Sequence, residues 1–414
     1  MNMIEQALII ISFILVLGAL AEFIYRRTGL PDVIWLVGAG ILMGPVFKIV
    51  PVAVLQSAVP FFGAIALTII LSNGAYQMRI KDVKTIAPRG LLLGFSGFFF
   101  SMFATYLFLW AGAEMGWLKP HSPMIRLLVG SIVGGTSALI IMPTMSKASV
   151  DKSIVHTLEV ESSSTDALCV VATMAMIDLV LHGGAAGVSQ PLIVLCKQLG
   201  IGVGFGILAA ALMIPAIPAS LGKAHGYTLF LALVLALYAI TSSQGGNGAM
   251  AVFCCALLVG NSADIVPLLI PGANPQAFGH SEVHDIMQEQ MVFIIKSFFF
   301  LLIGLMFPTD WRQIVIGISG AAVLLLFRIP AVAVSTFGNK VSRADFWLMV
   351  VAMPRGLAAG VLASLPLQAG VPGVETLSST IFSMIVTSIV VFSVGMMIAA
   401  RRNASKEPAA AEPV

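Results

Sequence analysis

Long apolar runs alternate with short polar ones along the whole chain. A helix needs roughly 20 apolar residues, with a range of about 17–25, to cross a bilayer. On that ruler about thirteen segments stand out. The first four lie near 4–25, 31–48, 59–77 and 86–113, and the next five near 123–146, 158–183, 191–218, 226–240 and 247–262. The last four lie near 288–307, 313–336, 343–366 and 375–399. The eighth and ninth are short, and Gln244-Gly-Gly-Asn-Gly248 between them is a break. The pattern predicts an all-α polytopic membrane protein with one membrane domain over 1–402 and a short polar tail over 403–414.

Composition agrees. Of 414 residues, 58% are hydrophobic and 10% charged, with a mean hydropathy of +1.01. A soluble chain carries about a quarter of its residues as charged ones. The net charge of +3 gives no indication of a nucleic-acid partner. Cys169, Cys196, Cys254 and Cys255 all lie in apolar segments, at spacings that suit neither a disulfide framework nor a zinc site. No Lys or Arg precedes the first apolar run, so that run is expected to stay as a helix rather than leave as a signal peptide.

Charge position sets the expected orientation. With the N-terminus outside, the inward loops and tail hold fourteen basic residues: Arg26, Arg27, Arg79, Lys81, Lys84, Arg89, Lys147, Lys152, Lys223, Lys340, Arg343, Arg401, Arg402 and Lys406. The outward side has Lys48, Lys119, Arg126, Lys197 and Arg312. That asymmetry fits the positive-inside rule, with the N-terminus out, the C-terminus in and an odd number of spans. Residues 263–289 dissent, with Asp264, Glu282, Asp285 and Glu289 and no base, but acids weigh little in the rule.

Three polar sites interrupt the apolar runs. In the sixth segment, Glu161-Ser-Ser-Ser-Thr-Asp166 places two carboxylates at bilayer depth, where charge costs several kcal/mol or more. Ser162 and Asp166 share a helix face at i, i+4. Glu161 is five residues from Asp166, hence about 140° away, so the acids are expected to take separate roles: one fixed by a cation, one free to titrate. A structural polar cluster is the alternative. In the fifth segment, Gly134-Gly135-Thr136-Ser137, followed by Pro143, weakens the helix and frees backbone carbonyls. Thr136 and Ser137 then add hydroxyl oxygens suited to a hard alkali cation; packing through small residues is the competing explanation. The twelfth carries Pro354-Arg355-Gly356. Interrupted segments at corresponding positions of two repeats mark a transporter site. Arg328, in the eleventh, also needs an acid, and spacing alone does not say which arginine meets Glu161. Lys296 is expected to snorkel to the interface, Glu22 and Arg26 form an i, i+4 pair, and Asp178 sits near water at the far end of its helix.

These residues resemble the monovalent cation:proton antiporters of the NhaP/NHE-like branch over nearly the whole chain. The hexapeptide is similar to that family's Glu-Ser-x-x-Asn-Asp. Looser similarities run through Arg27–Pro31, Gly40–Pro45, Leu67–Gly74, Asn247–Phe253, Gly260-Asn261 and Phe298–Gly304. The resemblance implies an inverted-repeat fold with two unwound crossing helices. It implies a core of helices about 86–183 and 313–399 sliding against a dimerisation scaffold, and a homodimer. It makes Asp166 the carboxylate that carries proton and monovalent cation in turn, with Ser162, Thr165, Thr136 and Ser137 around the ion. Glu161 and Arg328 become a structural ion pair, and Arg355 the charge of the unwound twelfth helix. The chain departs from the family at Thr136-Ser137-Ala138, where relatives read Thr-Asp-Pro. It departs again at Ser72-Asn73-Gly74, where relatives often carry a glutamate, and at Thr165, which replaces asparagine. Asp166 is left as the one obvious free acid of the site.

The resulting expectation is electroneutral exchange of Na⁺ or K⁺ for H⁺ across a bacterial-type plasma membrane, by a protein that uses no cofactor and is not an enzyme. Sodium-coupled symport of an organic anion and a non-transporting sensor are the alternatives. A channel lacks a repeated carbonyl filter. Among six scattered histidines only His280 and His284 share i, i+4 spacing, which is thin support for metal chemistry.

Overall fold

The computed structural model describes residues 3–49, 52–78, 80, 87–147, 150–182, 189–220, 224–271, 274–278, 282–338, 341–374 and 377–404. Arg79, Lys81, Lys84, Lys223, Lys340, Lys406, His280 and residues 405–414 lie outside them. Every secondary-structure element among the described residues is helical.

The helices are α1 (Met3–Thr28), α2 (Asp32–Ile41, continued by a π-helical turn Leu42–Val46), α3 (Val52–Gln77) and α4 (Ala87–Glu114). Next come α5 (Pro123–Ile132), α6 (Ala138–Lys147), α7 (Lys152–His182) and α8 (Ser189–Met213). Then follow α9 (Ala224–Ser243), α10 (Gly248–Gly260), α11 (Ser262–Leu269) and α12 (Glu282–Leu305). The chain closes with α13 (Trp311–Thr336), α14 (Arg343–Val351), α15 (Leu357–Leu362) and α16 (Leu377–Ala404).

By length and composition, seven of these among the described residues can cross a membrane. The number rises to eight if α10 and α11, bent by 74°, count as one span. Shorter apolar helices cover Asp32–Val46, Pro123–Ile132 and Leu357–Gln368. The sixth segment starts earlier than its hydropathy suggests, at Lys152 rather than 158, because Asp151 and the helix-compatible 152–157 prolong it into polar surroundings. The last helix runs through Ala404, past the expected start of the tail.

Two sets of helices pack mostly among themselves. In one, α4 lies against α13, α7 and α5, and α13 against α16; in the other, α10 lies against α8, α3 and α9, and α2 against α12 and α1. Side-chain caps begin four of the helices. Ser122, Asn247, Asp310 and Ser342 cap α5, α10, α13 and α14 through their side-chain oxygens. At the α10–α11 bend, buried Asn261 donates to the Met78 and Leu257 carbonyls, each at 2.8 Å, and accepts from the Ile80 amide at 2.8 Å. Three of its four hydrogen-bonding positions are thus spent on backbone that has no water to turn to.

The α2–α12 crossing is made backbone to backbone. A Cβ on Gly40 would lie 2.8 Å from the Gly304 Cα, and one on Gly304 would lie 2.8 Å from the Gly40 Cα. Small residues permit such approaches between membrane helices. Gly304→Leu is expected to wedge the pair apart at a cost of about 1–3 kcal/mol or more, read as a lowered melting temperature in detergent. An unchanged melting curve would show that the crossing carries no stability.

Candidate functional site

Two helices are interrupted, and their breaks meet. The chain is non-helical at 133–137, between α5 and α6, and at 352–356, between α14 and α15. The Ser137 amide donates to the Pro354 carbonyl at 3.0 Å. Gly356 lies so close to the Ser137 side chain that a Cβ there has no room. Glycine at 135 serves the same purpose against α7, where a Cβ would fall 2.8 Å from the Cys169 sulfur. The glycines that weaken the helix therefore also let the freed backbone nestle against its neighbours.

Each broken helix exposes a carbonyl-rich end carrying partial negative charge, and an arginine answers each. Arg355, buried, donates to the Gly135 carbonyl at 2.5 Å beyond the end of α5, and to the Ser101 hydroxyl at 3.0 Å; its own amide donates to Ser388 Oγ at 2.8 Å. Arg328, also buried, donates to the Met349 carbonyl at 3.3 Å and the Ala352 carbonyl at 3.0 Å, at the end of α14. Its two terminal nitrogens grip the Glu161 carboxylate, Nη1 on Oε1 and Nη2 on Oε2 at 2.8 Å. The structure thus gives Glu161 to Arg328, and places Arg355 on backbone and hydroxyl oxygens. Glu161 is fully buried, and bidentate pairing is the arrangement that makes such burial tolerable.

Asp166 differs on every count. It is half-buried, and among the described residues no ion pair reaches it. Around the adjoining break, Ser162 Oγ donates to the Thr136 carbonyl at 2.9 Å. The Thr136 amide donates to Thr165 Oγ1 at 3.2 Å, and Thr165 Oγ1 donates to the Ser162 carbonyl at 3.1 Å. Thr165 therefore ties the break to α7. Thr136 Oγ1 is buried and, among the described residues, has no hydrogen-bond partner. Buried polar atoms are nearly always satisfied, so this hydroxyl, on the break that Ser162 and Thr165 tie to the Asp166 helix, is a candidate ligand position. Hard oxygen donors with one negative charge suit a small monovalent cation.

A cavity of about 520 Å³ opens nearby, with none of Asp166, Ser162, Thr165, Thr136 or Ser137 in its wall. It runs past His156 and Glu159 on α7 and Glu289 on α12, and reaches Ser163 and Ala138, the sequence neighbours of Ser162 and Ser137. His156 and Glu159 are 3.3 Å apart and mark its wet end.

Sequence reading missed one pair. Lys296 does not snorkel; its Nζ lies 2.5 Å from Asp32 Oδ2, with the two side chains 12% and 5% exposed. The reason is depth: α12 begins at Glu282, not near 288, so Lys296 stands fourteen residues in and a buried acid is closer than water. Asp32 follows Pro31 in the first turn of α2, a position with no sequence pattern that names its partner. The Glu22–Arg26 pair lies at the surface, at 3.3 Å. His284, half of the histidine pair, stacks on Tyr76 with ring centroids 4.6 Å apart. The Tyr25 hydroxyl donates to the Pro143 carbonyl, joining α1 to α6.

Known proteins bear on this arrangement. The family described as sodium/hydrogen exchanger, transmembrane, matches residues 10–400. A K(+)/H(+) antiporter NhaP2 of Shewanella sp. (strain ANA-3) is 28% identical over 384 residues, covering 91% of this chain and 63% of that protein. The chain thus spans a little under two thirds of the length of such relatives. A Na(+)/H(+) antiporter 1 of Methanocaldococcus jannaschii is 29% identical over 205 residues, 47% of this chain and 44% of that protein. Among solved structures, the sodium proton antiporter MjNhaP1 from the same organism, at pH 8, superimposes with a TM-score of 0.78 at 20% identity, covering 97% of this chain and all of that one, which establishes a shared fold.

Proposed function

Since the chain belongs to the sodium/hydrogen exchanger family, we propose that it exchanges a monovalent cation, Na⁺ or K⁺, for H⁺, with both competing for Asp166. The observation that carries this reading is the division of labour between the two acids of one helix. Glu161 is locked by Arg328, whereas among the described residues no ion pair reaches Asp166, whose helix neighbours Ser162 and Thr165 bond the break that carries the orphaned Thr136 hydroxyl. A bare carboxylate at bilayer depth is penalised. A proton or a cation each removes that penalty, so the loaded forms cross and the empty charged form does not. One titrating acid gives exchange of one for one, hence an electroneutral cycle.

The rest of the reading follows from the same premise. Ser162 lends lone pairs to the ion, Thr165 and Ser137 hold its surroundings, and Arg355 steadies the crossing. The helices about 86–183 and 313–399 form the moving core, supported by the packing of α4 with α7, α5 and α13. The remainder forms a scaffold through which two copies pair. Thirteen crossings in two inverted repeats, an outside N-terminus, an inside C-terminus and a bacterial-type plasma membrane complete the proposal, and lipid is the surrounding partner. Organic-anion symport and sensing find no support in the relatives' names.

The test is reconstitution in liposomes with a lumenal pH dye, adding Na⁺, K⁺ and Li⁺ in turn. Proton movement driven by Na⁺ or K⁺, in the absence of any organic solute and without a membrane potential, is the expected result. No response to any cation across a broad pH range would overturn the reading.

A further inference from the structure

The Asp32–Lys296 pair stands outside the ion site, yet Lys296 lines the cavity whose wall includes Ser163 and Ala138, next in sequence to the site residues Ser162 and Ser137. A lysine ammonium on the wall of a cation path is an obstacle. Low-dielectric walls focus the field of each charge into the water between them, so a single uncompensated charge changes the local cation concentration severalfold. The acids on the same cavity are Glu159, beside His156, and Glu289. Lys296 opposes both unless its charge is cancelled where it sits.

Asp32 is built to do that. Its Oδ1 accepts the Val33 amide at 3.0 Å at the N-terminus of α2, where the helix dipole favours a negative charge. Its Oδ2 faces the ammonium at 2.5 Å, and both side chains are withdrawn far enough for salt to screen them little. Holding α2 to α12 does not require this pair, because the Gly40–Gly304 contact already seats one backbone on the other.

Building on the exchange reading above, we propose that the Asp32–Lys296 pair sets the cation affinity of the entry cavity. Asp32 masks a lysine that otherwise repels the incoming cation. Lys296 in turn neutralises Asp32, whose bare carboxylate would hold the cation more tightly. The two residues therefore tune apparent affinity in opposite directions without touching the bound ion.

The experiment measures cation-dependent exchange in liposomes at alkaline pH for the wild type, Asp32→Asn, Lys296→Gln and the double variant. Asp32→Asn is expected to raise the cation KM by roughly tenfold, the scale of one bare charge near the path, with kcat changed far less. Lys296→Gln is expected to lower KM, and the double variant to return near the wild-type value. A purely structural pair would move both single variants the same way, through lost protein or lost kcat. That outcome, or an unchanged KM in both, overturns the inference. If Asp32→Asn does not fold, the sign of the KM change in Lys296→Gln decides alone. Exchange by the wild type with no KM shift refutes this inference only; a wild type that exchanges nothing refutes the functional reading, and this inference with it.

Discussion

Asp166→Asn is expected to abolish cation-driven proton movement in liposomes, to the background of empty vesicles, while the purified protein stays folded. Asparagine keeps the shape and loses the charge. It can neither release a proton nor attract a cation, so both half-reactions fail together. No ion pair among the described residues is broken by the change, because none reaches Asp166. Taking an unpaired carboxylate out of an apolar helix relieves a penalty, so the melting temperature in detergent is expected to hold or rise. Added Na⁺ or K⁺, which should raise the melting temperature of the wild type through binding, should leave the variant unmoved. Residual exchange above background in Asp166→Asn would show that another group carries the proton.

The opposite result is expected five residues earlier. Glu161→Ala should cost about 3–5 kcal/mol by stranding the Arg328 guanidinium in a site closed to water. The loss should appear as a sharply lowered melting temperature and reduced yield, with exchange per surviving molecule affected only secondarily. Arg328 would keep its bonds to the Met349 and Ala352 carbonyls, which neutralise much less than a carboxylate does. A melting temperature equal to the wild type's would remove the pair from the list of what holds α7 to α13. Together the two variants separate the acids: one loses function and keeps stability, the other loses stability first.

Much of this was legible in the sequence, for a physical reason. At bilayer depth the penalty on charge is so large that each buried Asp, Glu or Arg advertises a purpose, and the glycine pair at 134–135 and Pro354 advertise broken backbone. All-helical character was visible through length and hydropathy alone, and among the described residues seven helices, or eight with the bent pair as one span, are long and apolar enough to cross. Which arginine meets Glu161 was not, since α7, α13 and the second break converge only in three dimensions. Lys296 was misread because hydropathy located the start of its helix too late. Asp32 was passed over because an acid in a first turn is ordinary until its partner is known. Ser101 on α4 and Ser388 on α16, which receive and support Arg355, carry no signal as single serines in long apolar helices.

The Glu161–Arg328 bond also imposes an order of assembly during synthesis. Its partners are 167 residues apart in the chain. At ~5–20 residues per second, ribosomes need on the order of ten seconds or more to make the intervening stretch. For that interval α7 carries Glu161 without the arginine that pairs it. Its early membrane companions are α4 and α5, and Gly94 and Gly97 of α4 flank the hexapeptide and the coming guanidinium. The newborn helix must therefore shelter its acids against glycine-lined neighbours or in protonated form until the last third of the chain arrives. Truncated chains ending before residue 328 should accordingly be prime substrates for membrane quality control.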